Sequence, residues 1–266
     1  MSSMAQDLLN NIQESGTSEL LISQKLNKLF YEPTDPIAES KFVRAVLNKN
    51  GEQKDRVGLH ASAIITSEKD FCYREQVLSL FYKQDQGKQI PINLKRIFEE
   101  GNSIHEKWQR LFLRGGLVDL SCLDRSRFDY NYDLSFTPDI CPAIIGKKQY
   151  VVEIKSVNTF QFKNMNEHPS GKKQLMFYMH LTNVFDGFVL AEDKNTQKFK
   201  TFIYKFDKEI VLPYIERLEN IQVYKSRLLN ENKMVAGICK AVNSPRAQKC
   251  PMRDACFNCG IGRIRL

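Results

Sequence analysis

No apolar run in the 266 residues approaches the ~20 that a membrane-spanning helix requires. The first residues lack the charged-then-apolar layout of a secretory leader, so the chain is expected to be intracellular, with no membrane partner. No Gly-x4-Gly-Lys-[Ser/Thr] stretch is present, which excludes an ATP motor of the P-loop type. Internal repeats and low-complexity tracts are absent as well. What is present is a basic chain, with 39 Lys and Arg against 31 Asp and Glu, a balance that favours a polyanionic partner. The charge is uneven. From Ala236 to Leu266 six basic residues face one acid, Asp254, making the tail a candidate phosphate-contacting surface. Seven cysteines in a reducing compartment read as thiols or metal ligands rather than a disulfide framework.

The length suits a core with appendages. Residues 1–60 read as a helical lead-in: Ser18 as a cap, Ile22, Leu26 and Leu29 on one helical face, then a short helix through Phe42, Val43, Val46 and Leu47. Residues 61–235 read as the core and 236–266 as a cysteine-rich basic tail. Within the core a helix is expected from Ser67 to about Tyr82, with Cys72 near its start. A second helix carries Ile97, Gly101, Ile104, Trp108 and Leu111 at helical spacing and stops at Gly115-Gly116. Strands are expected over 117–123 and 128–140, and again at 150–155, 188–191 and 199–206. Helices are expected over 170–181 and 210–229, with Glu192 to Asn195 a turn-rich connector.

The chain is organised around Phe136-Thr137-Pro138-Asp139, a turn at Gly146-Lys147-Lys148, and Tyr150-Val151-Val152-Glu153-Ile154-Lys155. A hairpin is expected, with Glu153 and Lys155 two apart on one face and Val152 and Ile154 buried on the other. Asp139 can then meet Glu153 across the pair, an oxygen-rich site suited to Mg2+ or Mn2+, with the Ile154 carbonyl placed to contribute. Such an ion generates a nucleophile and stabilises charge in phosphodiester hydrolysis, and Lys155 would orient the attacking water or offset negative charge. Glu-x-Lys alone is ordinary on exposed strands. Here it comes with Pro-Asp upstream, Gln174-x3-Tyr178 on a following helix, and Gly101-x3-His105 on a preceding one, and the ordered set is the signal.

With these residues in this order, the chain resembles the RecB-type branch of the PD-(D/E)xK nuclease superfamily. The resemblance implies an α/β, restriction-endonuclease-like core, a mixed β-sheet flanked by helices. It implies metal binding by His105, Asp139 and Glu153, catalysis by Lys155, and assistance from Gln174 and Tyr178 at the active site or on the DNA strand.

Cys239, Cys250, Cys256 and Cys259 lie close together in the tail. On residue chemistry alone they suit a tetrahedral zinc site. One subset of the family, including the CRISPR-adaptation nucleases and the AddB nuclease domain, instead staples its C-terminus to an upstream helix through a four-cysteine [4Fe-4S] cluster. Cys72-Tyr73-Arg74 is similar to its isolated upstream ligand and Cys250-x5-Cys256 to its closing pair. The family's Cys-x2-Cys is missing, since position 247 is Ala. The resemblance therefore implies Cys72, Cys239, Cys250 and Cys256, with Cys259 as substitute.

The function expected is a metal-dependent deoxyribonuclease, an exonuclease on single-stranded DNA or duplex ends in recombination, repair or replication, cytoplasmic or nucleoid-associated. Any helicase or recombination partner would be a separate protein. The alternatives are a non-catalytic DNA-binding or assembly subunit and a structure-specific endonuclease using the same site.

Overall fold

The computed structural model describes residues 19–31, 33, 36–37, 39–43, 58–82, 91–123 and 126–257. The expected Ser18 cap, the Val46-Leu47 end of the short N-terminal helix, and Cys259 lie outside them. The chain forms two compact units, each assembled from separated stretches. The first takes its described residues from 1–51, 92–125 and 138–207, and the second from 52–91, 126–137 and 208–266.

The first unit is built on a four-stranded mixed sheet of β4 (Ile140–Ile145), β5 (Lys148–Val157), β6 (Asp186–Asp193) and β7 (Phe199–Lys205), in that order. β5 pairs antiparallel with β4 and parallel with β6, and β6 pairs antiparallel with β7. The parallel step needs a crossover, supplied by α5 (Thr159–Asn164) and α6 (Pro169–Thr182). One face of the sheet presents Val152, Ile154, Phe188 and Leu190, all fully buried. Against it pack Ile104, Trp108, Leu111 and Phe112 of α4 (Ile92–Arg114) and Ile22, Leu26 and Leu29 of α1 (19–29). Each such side chain contributes about 1.5–3 kcal/mol, so this core fixes α4 on the sheet. The other face carries Val151, Glu153 and Lys155 under α6. At Gly187 a Cβ would come within 2.9 Å of both the Leu175 side chain and the Val151 carbonyl, so α6 can lie this close only because that position has no side chain.

α4 ends as expected. Gly116 takes φ +63 and the Leu117 amide donates to the Phe112 carbonyl at 3.0 Å. Only its second half packs, however: Ile97, expected in the apolar stripe, is 49% exposed.

The second unit holds a three-stranded sheet in the order β1 (Leu59–His60), β3 (Leu134–Phe136), β2 (Arg127–Asp129). Its helices are α2 (Ala61–Ile64), α3 (Tyr73–Ser79), α7 (Lys208–Glu231) and α8 (Arg253–Phe257). The expected stripe of α7, namely Val211, Tyr214, Leu218, Ile221 and Leu228, is buried throughout. Arg217 of α7 pins the segment before Cys72, donating to the Ile64 and Thr66 carbonyls at 2.7 and 2.6 Å with its guanidinium 4.3 Å from the Phe71 ring centre.

Four element expectations are corrected. Leu117–Leu123 is not a strand. Asp119 accepts the Ser121 amide at 2.9 Å, forming a local turn, and Leu120–Cys122 is a 3-10 helix. The segment 128–140 is not one strand, because Asp129 accepts the Asn131 amide and Asp133 sits at φ +52, closing a hairpin between β2 and β3. The helix expected from Ser67 is split: Glu68–Asp70 is 3-10, Phe71 and Cys72 are extended and buried, and α3 starts only at Tyr73. Glu192 and Asp193, expected in a turn, complete β6 and are 1% exposed.

Candidate active site

β4 and β5 form the expected hairpin, with a one-residue register shift between Ile140 and Ala143. Extending the Ile140–Val152 pairing by two residues would set Pro138 opposite Ile154. Proline has no amide hydrogen to add to a ladder, and β4 begins only at Ile140. Beyond that end of the ladder the Ile154 amide finds its acceptor in a side chain: Asp139 Oδ2 accepts it at 2.7 Å. Ile154 thus meets Asp139 through its amide.

α4 holds the same residue from the other side. His105 Nδ1 lies 3.1 Å from Asp139 Oδ1, and one turn later Gln109, 4% exposed, donates from Nε2 to the Asp139 carbonyl at 3.0 Å. With a carboxylate accepting at Nδ1, that nitrogen carries the proton and the neutral ring presents its lone pair at Nε2. Burial opposes a charge on this ring, but the Asp139 hydrogen bond and the Asp139 and Glu153 charges outweigh it and raise its pKa. Gly101, one turn earlier, faces the end of β5. A Cβ there would sit 3.6 Å from Ser156 Oγ, an ordinary contact, so the approach is less tight than its glycine suggested.

Glu153 is 1% exposed. Its Oε1 lies 2.6 Å from Lys155 Nζ, while Oε2 is buried with no hydrogen-bond partner. Burial, then the neighbouring Asp139 charge, push its pKa up to about 8 despite the lysine. Lys155 is half-buried, which disfavours its charge, yet Glu153 and Asp139 hold its pKa above the usual lysine value. Its ammonium donates to Gln174 Oε1 at 2.9 Å, and Gln174 Nε2 donates to the Tyr178 hydroxyl at 3.2 Å. Both side chains lie on one face of α6, as their four-residue spacing suggested, and in the structure they form one relay onto the lysine.

His105, Asp139, Glu153, Lys155, Gln174 and Tyr178 are thus brought together on one unit. The arrangement holds two carboxylates beside one ammonium, with one carboxylate oxygen lacking any partner. Among the described residues no three His, Cys, Asp or Glu side chains already converge on a single point in an arrangement that would hold one metal ion.

In the second unit Cys72, Cys239, Cys250 and Cys256 line one cavity of about 20 Å3, together with apolar residues including Ile238 and Met252. Cys72 immediately precedes α3, and Arg74 of α3 donates to the Cys256 carbonyl at 2.9 Å, tying the tail to the helix. Burial, then the Glu75 carboxyl with which it shares a hydrogen bond, push the Cys250 thiol up to about 12.

No protein-family model matches the chain. No curated protein matches it either. Among solved structures it is similar to SSO0001, at 12% identity and a TM-score of 0.41, over 89% of this chain and 93% of that one. It is also similar to LHK-Exo in complex with dAMP, at 12% identity and a TM-score of 0.48, over 66% and 91% of the two chains. The third is the alkaline exonuclease LHK-Exo from Laribacter hongkongensis, at 14% identity and a TM-score of 0.44, over 67% and 94%. These values are too low to place the chain in a family.

Three residues around the site were not anticipated. Gln109 follows His105 at helical spacing, the one signal that could have found it. His168 precedes α6 and its Nδ1 accepts the Gly171 amide at 3.0 Å; burial, then the Lys155 charge, hold its pKa below the usual histidine value. Glu192 faces α4, accepting from Lys107 Nζ at 2.5 Å and from Trp108 Nε1 at 2.6 Å, and so anchors the helix that carries His105 and Gln109.

Proposed function

We propose that the chain is a divalent-metal-dependent deoxyribonuclease that hydrolyses phosphodiester bonds as an exonuclease, on single strands or duplex ends, in recombination, repair or replication. The observation that carries this is Glu153: a buried carboxylate with an unpartnered oxygen, next to a second carboxylate that raises its pKa. Two such groups are costly to bury without a counter-charge. His105, Asp139, Glu153 and the Ile154 carbonyl would hold Mg2+ or Mn2+, hard cations that suit an oxygen-rich donor set. When bound, such an ion supplies Lewis-acid polarisation of the phosphate and makes water acidic near neutral pH.

The chain's own residues supply the rest. Asp139, fixed by His105, Gln109 and the Ile154 amide, cannot turn away from Glu153. Lys155, aimed by Gln174 and through it by Tyr178, places an ammonium where negative charge grows as water oxygen attacks phosphorus and the P–O ester bond breaks. No side chain is required as nucleophile. End-labelled linear and circular single-stranded DNA, incubated with Mg2+ or Mn2+ and with chelator, test this. Loss of linear DNA alone, stopped by chelator, is expected. Cutting of circles would make the enzyme an endonuclease, and binding without cleavage under any metal would leave only a DNA-binding subunit.

We also infer that Cys72, Cys239, Cys250 and Cys256 hold a [4Fe-4S] cluster. The donor chemistry fits, since thiolates are the ligands of such clusters. Four thiols line one cavity, a donor set that suits iron-sulfur and zinc alike, and the likeness of Cys72-Tyr73-Arg74 and Cys250-x5-Cys256 to the ligand pattern of the iron-sulfur subset is what favours the cluster. Its role would be structural, cross-linking the first and last stretches of the second unit. Anaerobically purified protein should be brown, and Cys72→Ser should remove the colour and about 2–4 kcal/mol of stability, the scale of a cross-link closing a long loop. A colourless protein carrying stoichiometric zinc overturns the iron-sulfur assignment.

A further inference from the structure

On the first unit, a groove of about 490 Å3 runs between α1 and the turn joining β6 to β7, and none of the six predicted active-site residues lines it. It is lined by Asn27 of α1 and Phe30 just after it, by Gln197, Lys198 and Lys200 around the turn, and by Phe162 of α5. No acidic side chain contributes.

The groove is pre-formed. Asp193 organises the turn, accepting from the hydroxyls of Thr159 and Thr196 and from the Asn195 amide at 2.9, 2.6 and 3.0 Å. The Gln197 amide closes onto the Asp193 carbonyl at 2.7 Å. Lys200 is immobilised, donating to the Phe162 and Met165 carbonyls at 2.8 and 3.1 Å. Phe30 is braced by the buried Trp108, whose ring meets it edge-on at 5.5 Å, and Trp108 is itself tied to Glu192. Yet Phe30 leaves 45% of its surface exposed. Asn27 Nδ2 donates to the Ser23 carbonyl at 2.9 Å, which leaves its side-chain oxygen as an acceptor. Lys198 stands exposed on the rim.

A fixed aromatic face, amide groups with spare capacity and two ammonium groups without a carboxylate match a nucleotide: a ring to stack, edges to hydrogen-bond, and a phosphate to neutralise. The volume lies within the range of small-ligand clefts. We propose that this groove is a subsite for a nucleotide of a single-stranded nucleic acid, with its base on Phe30 and its phosphate toward Lys198. It rests on the nuclease reading for its role, as the place where the substrate strand is gripped away from the scissile bond.

The test is fluorescence anisotropy of a labelled single-stranded oligothymidylate on the full chain in chelator, so that nothing is cut. Phe30→Ala and Lys198→Glu are each expected to weaken binding about tenfold. Lys147→Glu, the same charge change on the β4–β5 turn, should have less than a threefold effect. In cleavage assays Phe30→Ala should raise KM about tenfold with kcat within twofold. Because Phe30 touches Trp108, Lys198→Glu on its exposed turn is the variant that leaves packing untouched. Thymidine 5′-monophosphate as competitor separates sources: competition lost in Phe30→Ala means that a released nucleotide also seats there, and no competition means that the groove takes only a strand. Unchanged affinity in Lys198→Glu, or a loss equal to that of Lys147→Glu, overturns the subsite. Wild type that binds through the groove but never cleaves would keep the subsite and remove the nuclease reading instead.

Discussion

Lys155→Ala should lower cleavage of single-stranded DNA by about 10²–10³-fold, the range for losing one preorganised charge-stabilising donor, with affinity for the same DNA in chelator kept within about threefold. The two effects separate because of where the residue sits. Its ammonium is 2.6 Å from Glu153 and 2.9 Å from Gln174, with 24% of the side chain exposed, so it meets one phosphate at the site rather than the general field of a chain with 39 basic residues. Removing it also strips the Glu153 carboxylate of the ammonium beside it, which pushes that carboxyl further toward its neutral form and weakens the site for a cation. Lys155→Arg should not restore the rate, since a planar guanidinium cannot meet Glu153 and Gln174 from one point as an ammonium does. Activity in Lys155→Ala within twofold of wild type would sink the assignment of catalysis to this site.

The parts of the site that were legible in the sequence are those whose geometry is local. Glu153 and Lys155 share a face because a strand repeats every two residues, and Gln174 and Tyr178 share one because a helix brings residues four apart together. Pro138, which has no amide hydrogen to give a ladder, could have marked the strand boundary, yet the expected strand ran through it to Ile140. The parts that were not legible depend on partners distant in the chain. Glu192 looks like turn composition beside Asp193 and Asn195, and only its pairing with Lys107 and Trp108 makes it a buried strand residue. Gln109 acts through the backbone carbonyl of Asp139, a group every residue carries, so no residue type betrays the contact. The misread strands failed for a different reason. Asp119 and Asp129 each fold the chain onto a nearby amide, and such short-range bonds prevail over an apolar pattern that would otherwise have extended. The consequence at the level of the fold is that β2 and β3 belong to the second unit while β4, a few residues on, lies in the first.

Glu153→Gln is expected to abolish cleavage while making the metal-free protein more stable, a reversal of the usual sign for a substitution at a buried position. Most replacements there remove favourable contacts. Here the native carboxyl is held at a pKa of about 8 by burial and by Asp139, above its ordinary value of 4.5. A group whose folded pKa is raised contributes its full stability below the unfolded value and loses it as pH rises through the folded one, because the folded state then binds more protons than the unfolded. Metal-free wild type should therefore lose stability between about pH 4.5 and pH 8. Glutamine keeps the shape and an oxygen for Lys155 but has no charge to set against Asp139. The difference in thermal midpoint should be small at pH 5 and grow to several degrees in favour of Glu153→Gln by pH 9, about 2–4 °C per kcal/mol for a chain of this size. Mg2+ should invert the order, stabilising wild type through the counter-charge that the unpartnered Glu153 oxygen lacks and leaving the variant nearly unmoved. Thermal melts across pH, with chelator and with Mg2+, measure both arms. If the two proteins share one pH profile in chelator, Glu153 carries no strained charge, and the physical case for a cation at this site is gone.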